Sequence, residues 1–321
     1  MAKIKQTKKT LFQFMNTIIT QLLKNGQHRT MQHYKTTLNT YTHFRRNRDI
    51  ALSEINTEEI RAFKAYLKNV VGVCNNTSSF YLRILRATYN KAVEKGLTIQ
   101  RNPFRNVYTG GIGKPRKRAI PTASVCQIKR MDSTQEFTPK QELARDTFLL
   151  CFYLRGISFI DLAHLRKSDL KDGYLHYTRS KTGQRLTIRW EKEMQKIVDK
   201  YKSQTAFSPY LLPFLTGNNH SRQNKATDTR QEELRLYHNA ETRMAYHLKK
   251  LGARIGLPGK LTLYVARHSW ATAARDRHIA ISVISEALGH HSEATTQIYL
   301  RSITARKWMM PMRKSWHHCE I

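Results

Sequence analysis

The sequence predicts a mainly α-helical protein of two domains, the second of which is mixed α/β with a small antiparallel sheet. Four segments of the first hundred residues have helical periodicity without strand-like alternation between them, near 10–25, 28–46, 57–71 and 77–96. In "GYLHYTRSKTGQRLTIRW", aromatic and β-branched residues run up to Thr182-Gly183 and then away again, which predicts a two-stranded hairpin. The chain has 321 residues, 40% of them apolar, which is enough for two hydrophobic cores.

The domain boundaries follow from a break in the helical pattern. The stretch "VYTGGIGKPRKRAIP" combines glycines and prolines with the basic residues Lys114, Arg116, Lys117 and Arg118. We interpret residues 107–121 as a basic linker between a helical domain at 1–106 and a second domain at 122–321. The linker could lie along a polyanion or be an ordinary exposed connection, and the sequence leaves both open.

The second domain begins with a helix-start signal. Thr138 is placed as the N-cap, Pro139 occupies the first helical position, and Gln141 follows three residues after the cap. The apolar run "ELARDTFLLCFYLR" comes directly afterwards, so we expect a core helix here. Helical pattern resumes near residue 190, after the hairpin.

Charge restricts the partners of this protein. Lys and Arg number 56 against 23 Asp and Glu, and the net charge of +33 points to a polyanion. No run of 18 apolar residues occurs, and the basic N-terminus lacks a signal-peptide apolar region, so nucleic acid is favoured over a membrane. The first acidic residue is Asp49, and we expect the positive first domain to contact DNA phosphates, with Arg45 and Arg46 among the contacts.

Cysteine usage predicts a reducing environment. The four cysteines are scattered, with no C-x-x-C pair and no zinc-site spacing: Cys74, Cys126, Cys151 and Cys319. We therefore expect no metal, no cofactor and a cytoplasmic location.

Four short stretches resemble one family. They are "YVARHSWAT" (264–272), "LGHHSEATTQIY" (288–299), "RSKTGQRLTI" (179–188) and "LRGISFIDLAHLRKSDL" (154–170). In this order they are similar to the boxes of tyrosine site-specific recombinases, or phage-type integrases, nearest to those of mobile elements of anaerobic gut bacteria. The resemblance implies a helical, SAM-like core-binding domain followed by a catalytic domain of the DNA breaking-rejoining fold.

The resemblance also implies a reaction and its residues. Tyr299 would attack a DNA phosphate, forming a 3′-phosphotyrosyl bond and releasing a 5′-hydroxyl, which a second strand's 5′-hydroxyl then reverses without ATP. Arg267 would bind the non-bridging oxygens, and Lys181 would protonate the leaving oxygen, with Arg179 and Arg185 as the neighbours for which it could be mistaken. His290 would contact or place the phosphate, and its nine-residue distance from Tyr299 fits the family better than that of His291.

Two positions depart from the family pattern. Tyr264 stands where the family has a histidine, and it could face the phosphate as a hydrogen-bonding group or be a core aromatic. Counting back from Asp169 places Ser158 at the first arginine position, three residues after Arg155. We expect Arg155 to be the catalytic arginine, because Ser158 resembles the N-cap of the next helix.

The resemblance predicts a recombinase that acts as a homotetramer on two double-stranded DNA sites and is a monomer when free in solution, located on the bacterial nucleoid. A type IB topoisomerase is an alternative that uses similar residues. A second alternative is a DNA-binding protein that has kept the fold and lost the chemistry. His268 and Trp270 are expected to support the site by packing.

Overall fold

The computed structural model describes residues 9–107, 109–110, 119–131, 137–216 and 229–301, with the backbone alone at positions 229, 230, 298, 299 and 301. The chain divides into two compact units, Met1–Lys114 and Pro115–Ile321. This division falls inside the segment predicted as a linker. Most of that segment, including Lys114, Arg116, Lys117 and Arg118, lies outside the described residues. The exact domain limits therefore stay a prediction.

The first unit is helical, as predicted from its periodicity. Its four helices are α1 (Leu11–Lys24), α2 (His28–Phe44), α3 (Thr57–Asn69) and α4 (Asn75–Glu94), with a short 3-10 turn at Leu52–Glu54. Each predicted helical segment corresponds to one of these helices. Their apolar faces enclose a common core that includes Phe14, Tyr41, Phe63, Leu82 and Tyr89.

The carboxylate of Glu59 joins α2 to α3 in this unit through hydrogen bonds. The Tyr41 hydroxyl donates to Glu59 Oε1 over 2.7 Å. Arg45 Nη1 donates to both oxygens of the same carboxylate, at 3.2 and 3.1 Å. The Glu59 carboxylate is thus shared by a fully buried phenol and a guanidinium, so it satisfies polar groups that the packing of the two helices brings together.

The second unit contains helices and a small sheet. In chain order the elements are α5 (Thr122–Arg130), α6 (Pro139–Tyr153), α7 (Phe159–Ala163), β1 (Leu170–Lys171), β2 (Tyr174–Thr178), β3 (Arg185–Arg189), α8 (Lys192–Asp199), α9 (Thr229–Arg254), α10 (Leu263–Asp276), α11 (Ile281–Ala287) and α12 (Glu293–Arg301). Across the described ranges, none of the helices has both the length and the apolar character needed to cross a bilayer.

The sheet is antiparallel and has the order β1-β2-β3. Strand β1 pairs with β2, and β2 pairs with β3, where Leu175 lies opposite Ile188. Leu175, Leu186 and Ile188 face the core, while their neighbours along the strands face outwards. The predicted hairpin is confirmed as β2 and β3, and β1 is a third strand that the sequence did not predict. At two residues, β1 is too short to leave an alternating pattern in the sequence.

Helix α6 is the central helix of this unit. Its start confirms the predicted capping box: Gln141 N–H donates to Thr138 Oγ1, and Gln141 Oε1 accepts from Thr138 N–H over 2.9 Å. Helices α5, α8, α9 and α10 all pack on α6, and its residues Phe148 and Cys151 are completely buried. Since α6 is covered on nearly every side, its ends are fixed relative to the site that follows it.

A separate small core holds the last three helices together. Ala271 and Ala274 of α10 pack with Ile284 and Leu288 at α11 and with Leu300 of α12. Trp270 packs against this cluster, which confirms the packing expected of it. The helix that carries position 299 is thereby anchored to α10 through buried apolar contacts.

We predict that Phe148→Ala lowers the free energy of unfolding by about 3–5 kcal/mol, because it leaves a cavity in a core where Phe148 is fully buried. The matched control is Phe207→Ala in the same unit, where the side chain is 96% exposed, and we expect a change within about 0.5 kcal/mol. Urea denaturation followed by circular dichroism compares the two variants. Equal destabilisation would contradict the placement of Phe148 in the core.

Candidate active site

Three cationic side chains converge on one cavity of the second unit. The cavity has a volume of about 370 Å³, and Arg179, Lys181 and Arg267 contribute to its wall. Ser158 and Tyr264 line it as well. The structure thus brings together four of the residues singled out from the sequence and adds Arg179. Arg155 does not belong to the lining of this cavity.

Arg267 lies in α10 and is 6% exposed. Its Nη1 donates to the Gly156 carbonyl over 2.7 Å, and its Nη2 donates to the Leu288 carbonyl over 2.5 Å. Nη2 also lies 3.1 Å from His290 Nε2. Arginine is rarely buried without such acceptors, because the loss of hydration of an unpaired charge costs several kcal/mol. The guanidinium is therefore held in one orientation by two distant segments of the chain.

Gly156 makes this arrangement sterically possible. Its φ is +76°, and a Cβ atom there would lie 2.6 Å from the Arg267 Cα and 2.5 Å from its Cγ. No side chain fits at such distances, and L residues rarely adopt this backbone conformation. Arg155, directly before it, also has a positive φ, of 56°. The chain therefore makes a left-handed turn directly against α10.

His290 follows α11 and contacts both Arg267 and α12. Because an arginine can only donate, Nε2 of His290 is the acceptor of the Arg267 bond. Burial, followed by the charges of Arg267, Arg179 and Lys181, lowers the pKa of His290 to about 4, so the imidazole is neutral at pH 7. The hydrogen of the neutral ring then lies on Nδ1, which donates to Thr296 Oγ1 over 2.8 Å. This assignment of the hydrogen follows from the hydrogen-bond network.

His291, the alternative histidine of this stretch, is exposed. It therefore does not share the buried position between Arg267 and α12 that His290 occupies.

Arg179 is a buried cation that was not selected from the sequence. It is 8% exposed, and its Nη1 donates to the Gly289 carbonyl. Gly289 has a φ of +63°, and a Cβ atom there would meet Arg179 Cδ at 3.0 Å. One signal was present in the sequence: Arg179 lies two residues before Lys181, within the same stretch "RSKTGQRLTI".

Asp161 joins the hairpin to α7. Its Oδ2 accepts from the Ser158 hydroxyl over 2.5 Å, and its Oδ1 accepts from the Ser180 backbone N–H over 2.8 Å. Ser158 in turn caps α7 by accepting from the Asp161 N–H, as predicted. The carboxylate is 4% exposed and fixes the backbone between Arg179 and Lys181. Sequence reasoning missed this connection because the N-cap motif predicts only the local half of it.

Tyr264 lies in the first turn of α10 and is 46% exposed. Its ring stands edge-on to that of His268, with 4.6 Å between the centroids. Because Tyr264 lines the cavity and is this exposed, it is not a core aromatic. It occupies one helical turn before Arg267, on the same face of α10.

Tyr299 lies in α12, and the structure describes its backbone but not its side chain. Position 299 comes three residues after Thr296, which is fully buried, and one before Leu300, which is 4% exposed. The helix that carries this tyrosine is therefore fixed on both sides of its predicted nucleophile.

The DNA-contacting residues predicted in the first unit differ in their surroundings. Arg45 is bonded to Glu59, whereas Arg46 is exposed and has a positive φ of 51°. The remaining members of that set are Lys114, Arg116, Lys117 and Arg118, which lie outside the described residues.

A second cavity has a volume of about 460 Å³. Thr178 and Ser180 line it, together with Asp161, Asp169 and Arg185. Two carboxylates against one arginine make this cavity a poorer anion site than the one in which three cations share the wall with Glu241. Within the described ranges, no group of three or more His, Cys, Asp or Glu side chains is arranged to hold a metal ion.

The fold and the cation-lined cavity suit a protein that binds an anion such as phosphate. Similarity to known protein families identifies the class to which it belongs. Residues 10–109 match the phage integrase SAM-like domain. Residues 127–306, more than half of the chain, match the phage integrase family. The chain belongs to the phage integrase family.

Relatives of known sequence include two tyrosine recombinases. The chain is 26% identical to tyrosine recombinase XerC of Rickettsia canadensis over 294 residues, covering 88% of each protein. It is 30% identical to tyrosine recombinase XerA of Pyrococcus furiosus over 174 residues, which are 53% of this chain and 54% of the relative. That second alignment thus spans about half the length of either protein.

Solved structures show the same fold. A lambda integrase dimer bound to a COC′ core site has a TM-score of 0.60 at 18% identity, covering 92% of this chain and 97% of the other. The Tn1549 transposon integrase in complex with transposon right end DNA has a TM-score of 0.63 at 14% identity, covering 94% and 99%. The predicted fold class and family are confirmed, and with them the expectation of a DNA breaking and rejoining enzyme of site-specific recombination. The narrower likeness to elements of gut bacteria stays a prediction.

We predict that Gly156→Ala is more destabilising than Gly173→Ala. Both glycines have nearly the same positive φ, +76° and +77°, so both variants carry a similar backbone strain of about 1–2 kcal/mol. Nothing lies within 4 Å of a Cβ atom at Gly173, whereas one at Gly156 would collide with Arg267. We expect an additional loss of about 1–3 kcal/mol at Gly156, measured as the difference in unfolding free energy. Equal losses would show that the close approach to Arg267 is not required.

Proposed function

We propose that this chain is a site-specific DNA recombinase in which Tyr299 attacks the scissile phosphate and the cavity of Arg267, Arg179 and Lys181 binds that phosphate. The observation that carries the proposal is the convergence of the two arginines on residues 288–290. Their guanidinium groups donate to the Leu288 and Gly289 carbonyls. Tyr299 follows this segment by nine residues, in a helix bonded to His290 through Thr296.

Phosphate binding is assigned to the two buried arginines. A phosphodiester gains negative charge on its non-bridging oxygens as the transition state forms, and preorganised guanidinium donors stabilise that charge. Arg267 is already oriented by Gly156 and Leu288, and Arg179 by Gly289, so neither has to be ordered when the DNA arrives. Tyr264, on the same cavity wall, is assigned to hydrogen bonding with the phosphate, whereas the hydrogen of the Ser158 hydroxyl is already donated to Asp161.

The strand-cleavage step balances with the residues of this site. The Tyr299 oxygen forms a bond to phosphorus as the bond to the 5′-oxygen breaks, and the phenolic proton passes to solvent water. Lys181, on the cavity wall beside the arginines, donates a proton to the departing 5′-oxygen. The 5′-hydroxyl of a second strand then attacks the 3′-phosphotyrosyl bond, which restores both a phosphodiester and the free tyrosine. One bond is exchanged for another, so no external energy source is needed.

The proposed partner is double-stranded DNA, bound by a homotetramer on two sites. Each protomer supplies one tyrosine, and exchange of both duplexes involves four strands. Solved lambda integrase structures include a tetramer bound to a Holliday junction. In the first unit, the exposed Arg46 is assigned to phosphate contacts, with the basic residues of the linker. We place the protein as a monomer until it meets DNA, in the cytoplasm and on the nucleoid.

The test is covalent trapping. The purified full chain is incubated with duplexes that carry a randomised centre and a nick, so that the short 5′-hydroxyl fragment diffuses away after cleavage. We expect a protein–DNA adduct on a denaturing gel from the wild type and none from Tyr299→Phe, which lacks the attacking oxygen. Sequencing the trapped DNA identifies the cleavage site for later substrates.

Three outcomes are decisive in this test. If the wild type gives no adduct, both the recombinase and the topoisomerase hypotheses are excluded, and a DNA-binding protein of the same fold is left. An adduct from Tyr299→Phe would assign the nucleophile elsewhere. Supercoil relaxation without exchange between two trapped sites would indicate a topoisomerase.

A further prediction separates Arg179 from Arg155 as the first arginine of the site. We expect Arg179→Ala to lower the rate of adduct formation by roughly a hundredfold, the usual effect of losing one transition-state donor. Arg155→Ala, whose side chain does not line the cavity, is expected to have a smaller effect. Folding of both variants is checked by circular dichroism. A hundredfold loss in Arg155→Ala alone would assign to Arg155 the role predicted from the sequence.

A further inference from the structure

A continuous series of hydrogen bonds links α12 to the phosphate-binding arginine. It runs from Thr296 Oγ1 to His290 Nδ1, from His290 Nε2 to Arg267 Nη2, and from Arg267 Nη1 to the Gly156 carbonyl. Thr296 is completely buried, and its hydroxyl meets the imidazole at 2.8 Å. The series thus joins the helix of Tyr299 to the guanidinium that is proposed to bind the phosphate.

The hydroxyl of Thr296 is used differently from those of other helical threonines in this chain. Thr242 and Thr272 donate to the backbone carbonyls four residues earlier, the common arrangement inside a helix. Thr295, the exposed neighbour of Thr296, meets the Ser292 hydroxyl beside it. Thr296 instead receives a hydrogen bond from a residue outside its helix.

We propose that Thr296 is a positioning residue: it accepts the Nδ1 hydrogen of His290 and thereby holds the imidazole tautomer whose Nε2 accepts from Arg267. This inference rests on the proposed function, since it concerns the same site. A hydroxyl can accept or donate, and by accepting at Nδ1 it stabilises the tautomer whose Nε2 accepts from the donor-only Arg267.

The opposite tautomer is incompatible with the observed contacts. With the hydrogen on Nε2, two donors would face each other across the 3.1 Å between His290 and Arg267. Arg267 would lose a buried acceptor, and a buried donor without an acceptor is destabilising. The Thr296 hydroxyl could donate to an unprotonated Nδ1, so it is the donor-only Arg267 that excludes this tautomer, and Thr296 accepts from the one that remains. Thr296 therefore acts on the phosphate-binding arginine through His290, without touching it.

The same contact fixes the position of α12 relative to His290. Position 299 follows Thr296 by three residues and so lies on the same helical face, about one turn further along. A nucleophile must be held close to its target before it reacts, and small misplacements are costly in rate. The Thr296 bond thus couples the backbone position of the nucleophile's helix to the orientation of Arg267.

The test uses the full chain labelled with ¹⁵N at histidine and the substrate recovered by trapping. Thr296→Val keeps the shape and removes the acceptor, Thr296→Ser keeps the hydroxyl, and Thr295→Val is the matched control on the exposed neighbour. The chain has 14 histidines, so the His290 signals are identified by their loss in His290→Asn. Nitrogen shifts report the tautomer, and gel assays report the rate of adduct formation.

We expect the wild type and Thr295→Val to show His290 protonated at Nδ1. Thr296→Val should show a mixture of tautomers and form the adduct roughly tenfold or more slowly, as when the partner that orients a catalytic histidine is removed. Thr296→Ser should restore both the tautomer and most of the rate. Thr296→Ala, which adds no bulk, serves the same purpose if the valine variant does not fold.

Two results would overturn the inference while the proposed function stands. One is an unchanged tautomer and rate in Thr296→Val. The other is a serine variant as slow as the valine variant, because the methyl group and not the hydroxyl would then matter. A wild type without adduct would overturn the proposed function and this inference with it.

Discussion

The buried guanidinium of Arg267 is the constraint on which the site depends. A charge removed from water must be compensated, and its acceptors come from the turn before α7, the end of α11 and the imidazole of His290. The first of these segments is far from Arg267 in the sequence, since Gly156 precedes Arg267 by 111 positions. Each must be in place for the arginine to be buried, so the interaction that stabilises the fold also assembles the site.

The site concentrates positive charge. Arg179, Arg267 and Lys181 share one small cavity with a single carboxylate residue, Glu241, and the carbonyls at the end of α11 supply partial negative charge to both arginines. A protonated His290 would add to this repulsion, which together with burial is why its pKa lies well below the usual value. The neutral imidazole can then serve as an acceptor. The proposed phosphodiester would supply the negative charge that this arrangement favours.

Local patterns in the sequence predicted most of the helices and the residue types of the site. The helical periodicity of the first unit and the capping box of Thr138 depend on neighbours within a few residues, so both were readable. The burial of Arg179 could not be predicted from such patterns, because it depends on Gly289, 110 residues away. The same holds for Asp161, whose second bond reaches the hairpin. Arg179 and Lys181 are close in the sequence, but this closeness cannot show which cavity they line.

The turn that follows β2 contributes residues to two cavities. Arg179 and Lys181 line the cationic cavity, and Thr178 and Ser180 line the other. The Arg179 carbonyl accepts from the backbone N–H groups of Thr182 and Gly183, and the Ser180 N–H donates to Asp161. Adding or deleting one residue here would break these bonds and displace Arg179 and Lys181 from the cationic cavity. The length of this turn is thus constrained by its backbone bonds, independently of which side chains it carries.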